Sequence, residues 1–168
     1  MNMIAAAVRL AGKDDVAAFK NIRLEALRLE PAAFASRLGD WEALPDDEWL
    51  RRVTSGTVLI AFRNGEPVGL MGLLREQSAK SHHRATMVMV YVRASERGTG
   101  TARALLEALT RHARDAGILQ LELTVSIDKP AARRFYAREG FVEIGRLPAG
   151  LIDEGREIDE VMMARRIG

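Results

Sequence analysis

Residues 87–109, MVMVYVRASERGTGTARALLEAL, constrain the fold more than any other stretch of this chain. The run from Met87 to Val92 is apolar without alternation, the pattern of a central strand buried on both faces. Gly98 and Gly100 break it. Beyond them Ala102, Leu105, Leu106, Leu109 and Ala113 return at three- and four-residue spacing until Gly117 supplies a stop, so the spacing predicts an amphipathic helix from Thr101 to Ala116. A buried strand, a glycine turn and a crossing helix together imply a sheet covered by helices.

The rest of the chain fits that frame. MIAAAVRL suits a first strand, and Asp14 and Asp15 open a helix whose apolar face carries Val16, Phe19, Ile22, Ala26 and Leu27 until Pro31 ends it. Residues 32–45 read as loop, and DDEWLRRV as a short amphipathic helix with an acidic start. Two β-rich runs flank Asn64-Gly65, a strong hairpin signal, and ATMVMVYVR follows as the next strand. ILQLELTV alternates Leu119, Leu121, Leu123 and Val125 with polar residues, marking a half-covered strand. A helix with Pro130 in its first turn and Gly140 at its end precedes two closing strands, FVEIGRL and EIDEVMMARR. The expected order is β-α-α-β-β-β-α-β-α-β-β, an α/β fold in one domain spanning 1–168, with no internal repeat.

Composition excludes several chemistries. Cysteine is absent, which rules out disulfides, thiolate metal sites and a cysteine nucleophile. No metal is expected. No apolar run reaches a membrane span, and MNMIAAAVRLAGKDD lacks the pattern of a signal peptide, so no membrane partner and a cytoplasmic location are expected. A net charge of +2 does not argue for nucleic acid, although arginine far outnumbers lysine. A homodimer is left open.

The glycine turn is where chemistry enters. The first N–H groups of a helix lack intrahelical partners and carry its positive dipole end, and Arg97 adds charge on the same side. Glycines allow close approach, so Arg97 to Ala102 can hold a phosphate. Two glycines can also make a tight turn with no ligand. A dinucleotide fingerprint would place glycine where Arg103 stands, and a Walker loop requires Gly-Lys-Ser/Thr, which is missing.

Arg97-Gly98-Thr99-Gly100-Thr101-Ala102 resembles the Arg/Gln-x-x-Gly-x-Gly/Ala signature of the GNAT superfamily of acyl-CoA-dependent N-acetyltransferases. Further on, KPAARRFYAREGF resembles that family's Asn-x-x-Ala-x-x-Phe/Leu-Tyr-x-x-x-Gly-Phe segment. Two motifs in order, each in its expected context, weigh more than either alone. The resemblance implies a mixed, mostly antiparallel sheet with splayed central strands, flanked by helices. It also implies acetyl-CoA as cosubstrate, a small-molecule amine as acceptor, and direct attack in a ternary complex. The loop from Arg97 to Ala102 would cradle the pyrophosphate, and backbone groups near Val90, Tyr91 and Val92 would pair with the pantetheine amides. Arg103, Arg133, Arg134 and Arg138 are candidates for the 3′-phosphate, each also readable as a solvated helix face.

By the same resemblance Tyr136 faces the thioester sulfur. Full proton transfer from a phenol of pKa about 10 to a thiolate whose acid is near 8.5 is roughly 2 kcal/mol uphill. Hydrogen bonding to the developing thiolate therefore serves at least as well. Lys129, seven residues before Tyr136, stands where the family pattern has an asparagine that contacts the pantetheine arm. Lysine donates but does not accept, so that contact is altered or passes to Asp128 or Ser126.

An alkylammonium must lose a proton before it attacks. The central strand offers no carboxylate, Glu25, Glu30 and Glu122 are the nearest candidates, and His82 and His83 lie in a polar loop. The base stays unassigned. Phe34, Trp41 and Trp49 are candidates for shaping the acceptor pocket, with core packing as the alternative for each. Two rival functions remain: a non-catalytic acyl-CoA sensor, suggested by Lys129 and the missing carboxylate, and nucleic-acid binding through the arginines.

Overall fold

The computed structural model describes residues 4–168, and Met3, which opens the expected first strand, lies outside them. Seven strands form one sheet in the order β1-β2-β3-β4-β5-β7-β6. β1 (Ala7–Leu10) leads through a short turn into α1 (Val16–Leu29), and α2 (Leu38–Glu42) and α3 (Asp46–Ser55) precede β2 (Thr57–Arg63). β3 (Glu66–Arg75), β4 (Arg84–Val92), α4 (Thr101–Asp115), β5 (Gln120–Ser126), α5 (Pro130–Arg138), β6 (Val142–Asp153) and β7 (Arg156–Arg166) complete the chain.

Local chemistry explains most boundaries. The carboxylate of Asp15 accepts from the Gly12 N–H at 2.8 Å and from Arg9 at 2.6 Å, fixing the entry to α1. Asn64 and Gly65 both take positive φ, 52° and 81°, as a tight hairpin between right-twisted strands requires. Gly117 (φ 79°) and Gly140 (φ 89°) end α4 and α5 in the left-handed conformation.

Three expectations need correction. Residues 32–45 are not simply loop: Leu38 and Trp41 meet the core on one side of α2, and Trp41 is buried. Polar and glycine residues around that pair had obscured a helix of little more than one turn. β6 runs well past FVEIGRL, carried across Pro148 by a register shift between Leu147 and Leu151, with Ala149 at φ 47°. Leu119 precedes β5 and is 40% exposed.

The sheet divides the apolar residues into two bodies. On one face Leu105, Leu106 and Leu109 of α4 and Tyr136 of α5 pack with Met87, Leu121 and Leu123. On the other, Phe19, Ile22 and Leu27 of α1, together with Trp41 and Trp49, pack against Ile60, Leu70 and Tyr91. β4 contributes to both bodies, which is why its sequence does not alternate.

Two irregularities in β4 open the sheet. Gly72 pairs with Val88 but Leu70 pairs with Tyr91, so β4 carries an extra residue, and Met89 sits at φ 55°. Gly72 makes room, since a Cβ there would lie 2.5 Å from the Met89 terminal methyl. β4 also pairs in parallel with β5 only from Arg84↔Gln120 to Thr86↔Glu122. From Met87 and Leu123 onward the strands have no ladder between them, which is the expected splay.

Candidate active site

The splay opens into a cleft of about 1300 Å³ reaching both faces of the sheet. Its long wall is the unladdered edge of β4, where Val90, Tyr91 and Val92 stand, opposite Leu123 to Ser126 of β5. A strand edge without a neighbour presents N–H and C=O groups in register for an extended ligand.

At the far end of β4 lies the glycine loop. Gly98 and Gly100 have φ of 75° and 87°, and a Cβ on either would meet nothing within 4 Å, so these positions need glycine for conformation and stand open to approach. The N–H groups of Gly98, Gly100, Thr101, Ala102 and Arg103 find no backbone acceptor among the described residues. Such orphan donors at the start of a fifteen-residue helix make an anion cradle. Thr101 brings only its main-chain N–H to it, and the Thr99 N–H is spent on the Glu96 carbonyl at 3.3 Å. Their hydroxyls turn inward to Glu96, Thr99 Oγ1 donating to its carbonyl at 2.6 Å and Thr101 Oγ1 to its carboxylate at 3.3 Å. Buried Glu96 also receives Arg63 in a two-pronged pair at 2.6 and 2.7 Å, and these donors hold its carboxyl below the ordinary range. Sequence reading overlooked Glu96, which anchors the loop from behind.

Arg97 and Lys129 both line the cleft and both reach for Glu30 at the end of α1, at 2.8 and 3.6 Å. The paired carboxyl is held below its usual range, chiefly by the hydrogen bond from Arg97. Of the proposed substitutes for the lysine contact, Ser126 Oγ accepts the Asp128 N–H at 3.1 Å and Asp128 pairs with Arg156.

Tyr136 stands on the wall from the α4–α5 side, 6% exposed, its ring edge-on to Phe135 and Phe141. Burial pushes its phenol well above the ordinary range, with no hydrogen-bonding contribution from the protein. The hydroxyl is not among the sealed, unpartnered polar atoms, so it keeps contact with the cleft.

The base candidates separate cleanly. Glu25 accepts from the Tyr91 hydroxyl at 3.0 Å and from both prongs of Arg93, tying α1 to β4 outside the cleft. Burial and this carboxylate raise Tyr91 to about 12. Glu122 lies by Arg84, and neither His82 nor His83 lines the cleft. Glu160 of β7 does line it, on the face opposite Val161 and Met163. It is half-buried, has no cationic partner among the described residues, and burial raises its carboxyl. Within EIDEVMMARR it looked like one more surface charge. Register against Ser126 puts it in the splay.

Of the aromatics, Phe34 and Trp41 line the cleft, whereas Trp49 is fully buried core. Of the four arginines assigned to the nucleotide end, Arg103 and Arg138 line it, Arg133 pairs with Glu143 at 2.6 Å, and Arg134 does not line it.

Arg23 also belongs to the cleft. It lines the α1–α3 side of the cleft yet is only 2% exposed, and its Nε and Nη1 are buried without a hydrogen-bond partner. Its guanidinium carbon lies 4.3 Å from the Trp41 ring centre and 4.8 Å from that of Phe34. Burial, then repulsion from Arg52, lowers it to about 10. The sequence did hold a signal: Arg23 lies on the α1 stripe between Phe19 and Leu27, a charge in an apolar row.

An L-2,4-diaminobutyric acid acetyltransferase from Nocardia farcinica is 35% identical over 83 residues, which are 49% of this chain and 42% of that protein. The matched stretch thus spans less than half of the relative's length. An acetyltransferase of the GNAT family from Streptococcus pneumoniae superposes with a TM-score of 0.85 at 26% identity, covering 96% of this chain and 99% of that one. A Salmonella typhimurium protein, solved with its cofactor acetyl-CoA, superposes at 0.81 with 24% identity, covering 98% of this chain and 95% of its own. The acetyltransferase (GNAT) family model matches residues 21–141, the stretch that runs from α1 through the splay and glycine loop to the end of the Tyr136 helix, and the chain belongs to that family.

Proposed function

We propose that this protein is an N-acetyltransferase that moves the acetyl group of acetyl-CoA to a primary amine of a small molecule by direct attack in a ternary complex. The observation that carries the reading is the splay. It brings orphan N–H groups, an unladdered strand edge and the Tyr136 hydroxyl to one cleft, and so matches the phosphates, amides and thioester of the donor in turn. Bound acetyl-CoA in the Salmonella protein and a small-amine acceptor in the Nocardia one support the assignment.

Gly98 to Arg103 would hold the pyrophosphate through main-chain donors, with Arg97 released from Glu30 to assist. Val90 to Val92 would hold the pantetheine amides. Acetyl-CoA supplies the thioester, whose C–S bond breaks as the amine nitrogen bonds to the acetyl carbon. Tyr136 donates a hydrogen bond to the leaving sulfur as it gains charge. Glu160, with a carboxyl already raised toward working pH, takes the proton that the ammonium must shed, directly or through water.

Release of CoA thiol across a panel of amines, polyamines, amino acids and peptide N-termini tests the reading. Turnover with acetylated product supports it. Tight CoA binding with no acceptor anywhere in the panel would replace it with an acyl-CoA sensor.

A further inference from the structure

Resting on that reading, we propose that the acceptor amine carries a carboxylate and that Arg23 is the residue that receives it. A guanidinium taken out of water normally has an acidic partner, because an uncompensated buried charge is strongly destabilising. Arg23 has none among the described residues, and two of its nitrogens are sealed without any acceptor. What it has is a bracket. The rings of Phe34 and Trp41 stack against it, fixing the plane of the fork. Of its nitrogens Nη2 is the one that is not sealed, and it makes no hydrogen bond within the described residues, so it is the donor open to a carboxylate oxygen.

The surroundings add to the attraction. Arg51 and Arg52 also line this end of the cleft, and both draw on a single carboxylate, Glu48, at 2.6 and 2.8 Å. Three guanidiniums thus face one acid. Glu30, the other acid nearby on the cleft wall, is engaged by Arg97 and Lys129. The positive field also disfavours the acceptor's ammonium form, easing the deprotonation that attack requires.

Position favours the acceptor over the donor as the source of the anion. Arg23 belongs to the α1–α3 body, whereas the phosphate cradle opens at the start of α4 on the other side of β4. An amine entering from the α1–α3 face with its carboxylate on Arg23 would place its nitrogen toward the splay, where Glu160 faces the same side and Tyr136 stands across it.

The test compares amino acids, including diamino acids, with their carboxamides and decarboxylated amines, reading both CoA release and the melting temperature. Wild-type protein is expected to favour the acids by about 10- to 100-fold in kcat/KM, the size of a lost charge-assisted hydrogen-bonded pair. Arg23→Met keeps the length of the side chain and removes the buried charge. It should level acids and amides, mainly through KM, while acetyl-CoA binding is unchanged and the ligand-free melting temperature holds or rises, since an apolar replacement relieves an uncompensated cation. A merely structural Arg23 would instead lose stability and weaken every acceptor alike. Acids and amides turned over equally by wild type would overturn the inference and leave acetyl transfer standing, as would a panel in which only uncharged amines react. CoA binding without release from any amine removes both.

Discussion

The role proposed for Tyr136 rests on one oxygen. Because the hydroxyl borrows nothing from protein partners, Tyr136→Phe removes it without leaving a buried group unsatisfied, and stability should barely change. If chemistry limits turnover, kcat should fall by about 10²–10⁴-fold with acetyl-CoA affinity nearly constant, because the bond strengthens only as sulfur gains charge. A near wild-type kcat in an assay limited by the chemical step would remove Tyr136 from the mechanism. Glu160 makes a pH-dependent counterpart. Its raised carboxyl must be ionised to accept a proton, so activity should be lost as pH falls through that raised value. Glu160→Gln should slow turnover and keep only the pH slope set by the amine itself; an unchanged acidic limb would assign it to another group. Of the two, the sequence singled out Tyr136 alone, through the resemblance of KPAARRFYAREGF to the family segment. Glu160 was not legible there, because its place in the cleft depends on pairing between β5 and β7, and pairing is non-local.

The glycine loop and α4 behave as one element, and here local rules carried far. Orphan donors, glycine conformations and the helix face all follow from Arg97-Gly98-Thr99-Gly100 and the leucine spacing. Two things were hidden. The clamp on Glu96 comes from Arg63, whose own strand is remote in sequence, and the Thr99 and Thr101 hydroxyls serve that clamp. The bulge at Met89 was likewise invisible in an unbroken apolar run, since a continuous pattern has no phase to break. Gly100→Ala separates conformation from contact. Its Cβ would meet nothing within 4 Å, so the cost is that of a left-handed alanine alone, about 1–2 kcal/mol. Stability should drop by no more than that, while CoA affinity falls further as the cradle relaxes toward a conformation alanine prefers. Equal CoA affinity in wild type and variant, measured by calorimetry, would mean that the loop is only a turn.

Over the whole molecule the sheet is two half-sheets with a seam. β1 to β4 form one, β5, β7 and β6 the other, and the ladder between them is three residue pairs long. Beyond it the halves meet through packing of α4 and α5 and through Glu30, which bridges Arg97 before α4 and Lys129 before α5. A ligand that bonds along both flanks of the splay and takes Arg97 from Glu30 would substitute for the missing ladder. CoA should therefore raise the melting temperature by mass action, an effect of about 2.7 kcal/mol at a hundred times its dissociation constant. The protection should also be local. Amide hydrogen exchange ought to slow at 87–92, 98–103 and 123–126, and change little in the β6–β7 hairpin, whose two strands pair with each other without the ligand. Protection spread evenly over the sheet would mean that CoA stabilises the fold without closing the seam. An unmoved melting temperature at millimolar CoA would remove the donor from the cleft, because a ligand that engages five orphan N–H groups in the native state must shift the folding equilibrium toward it.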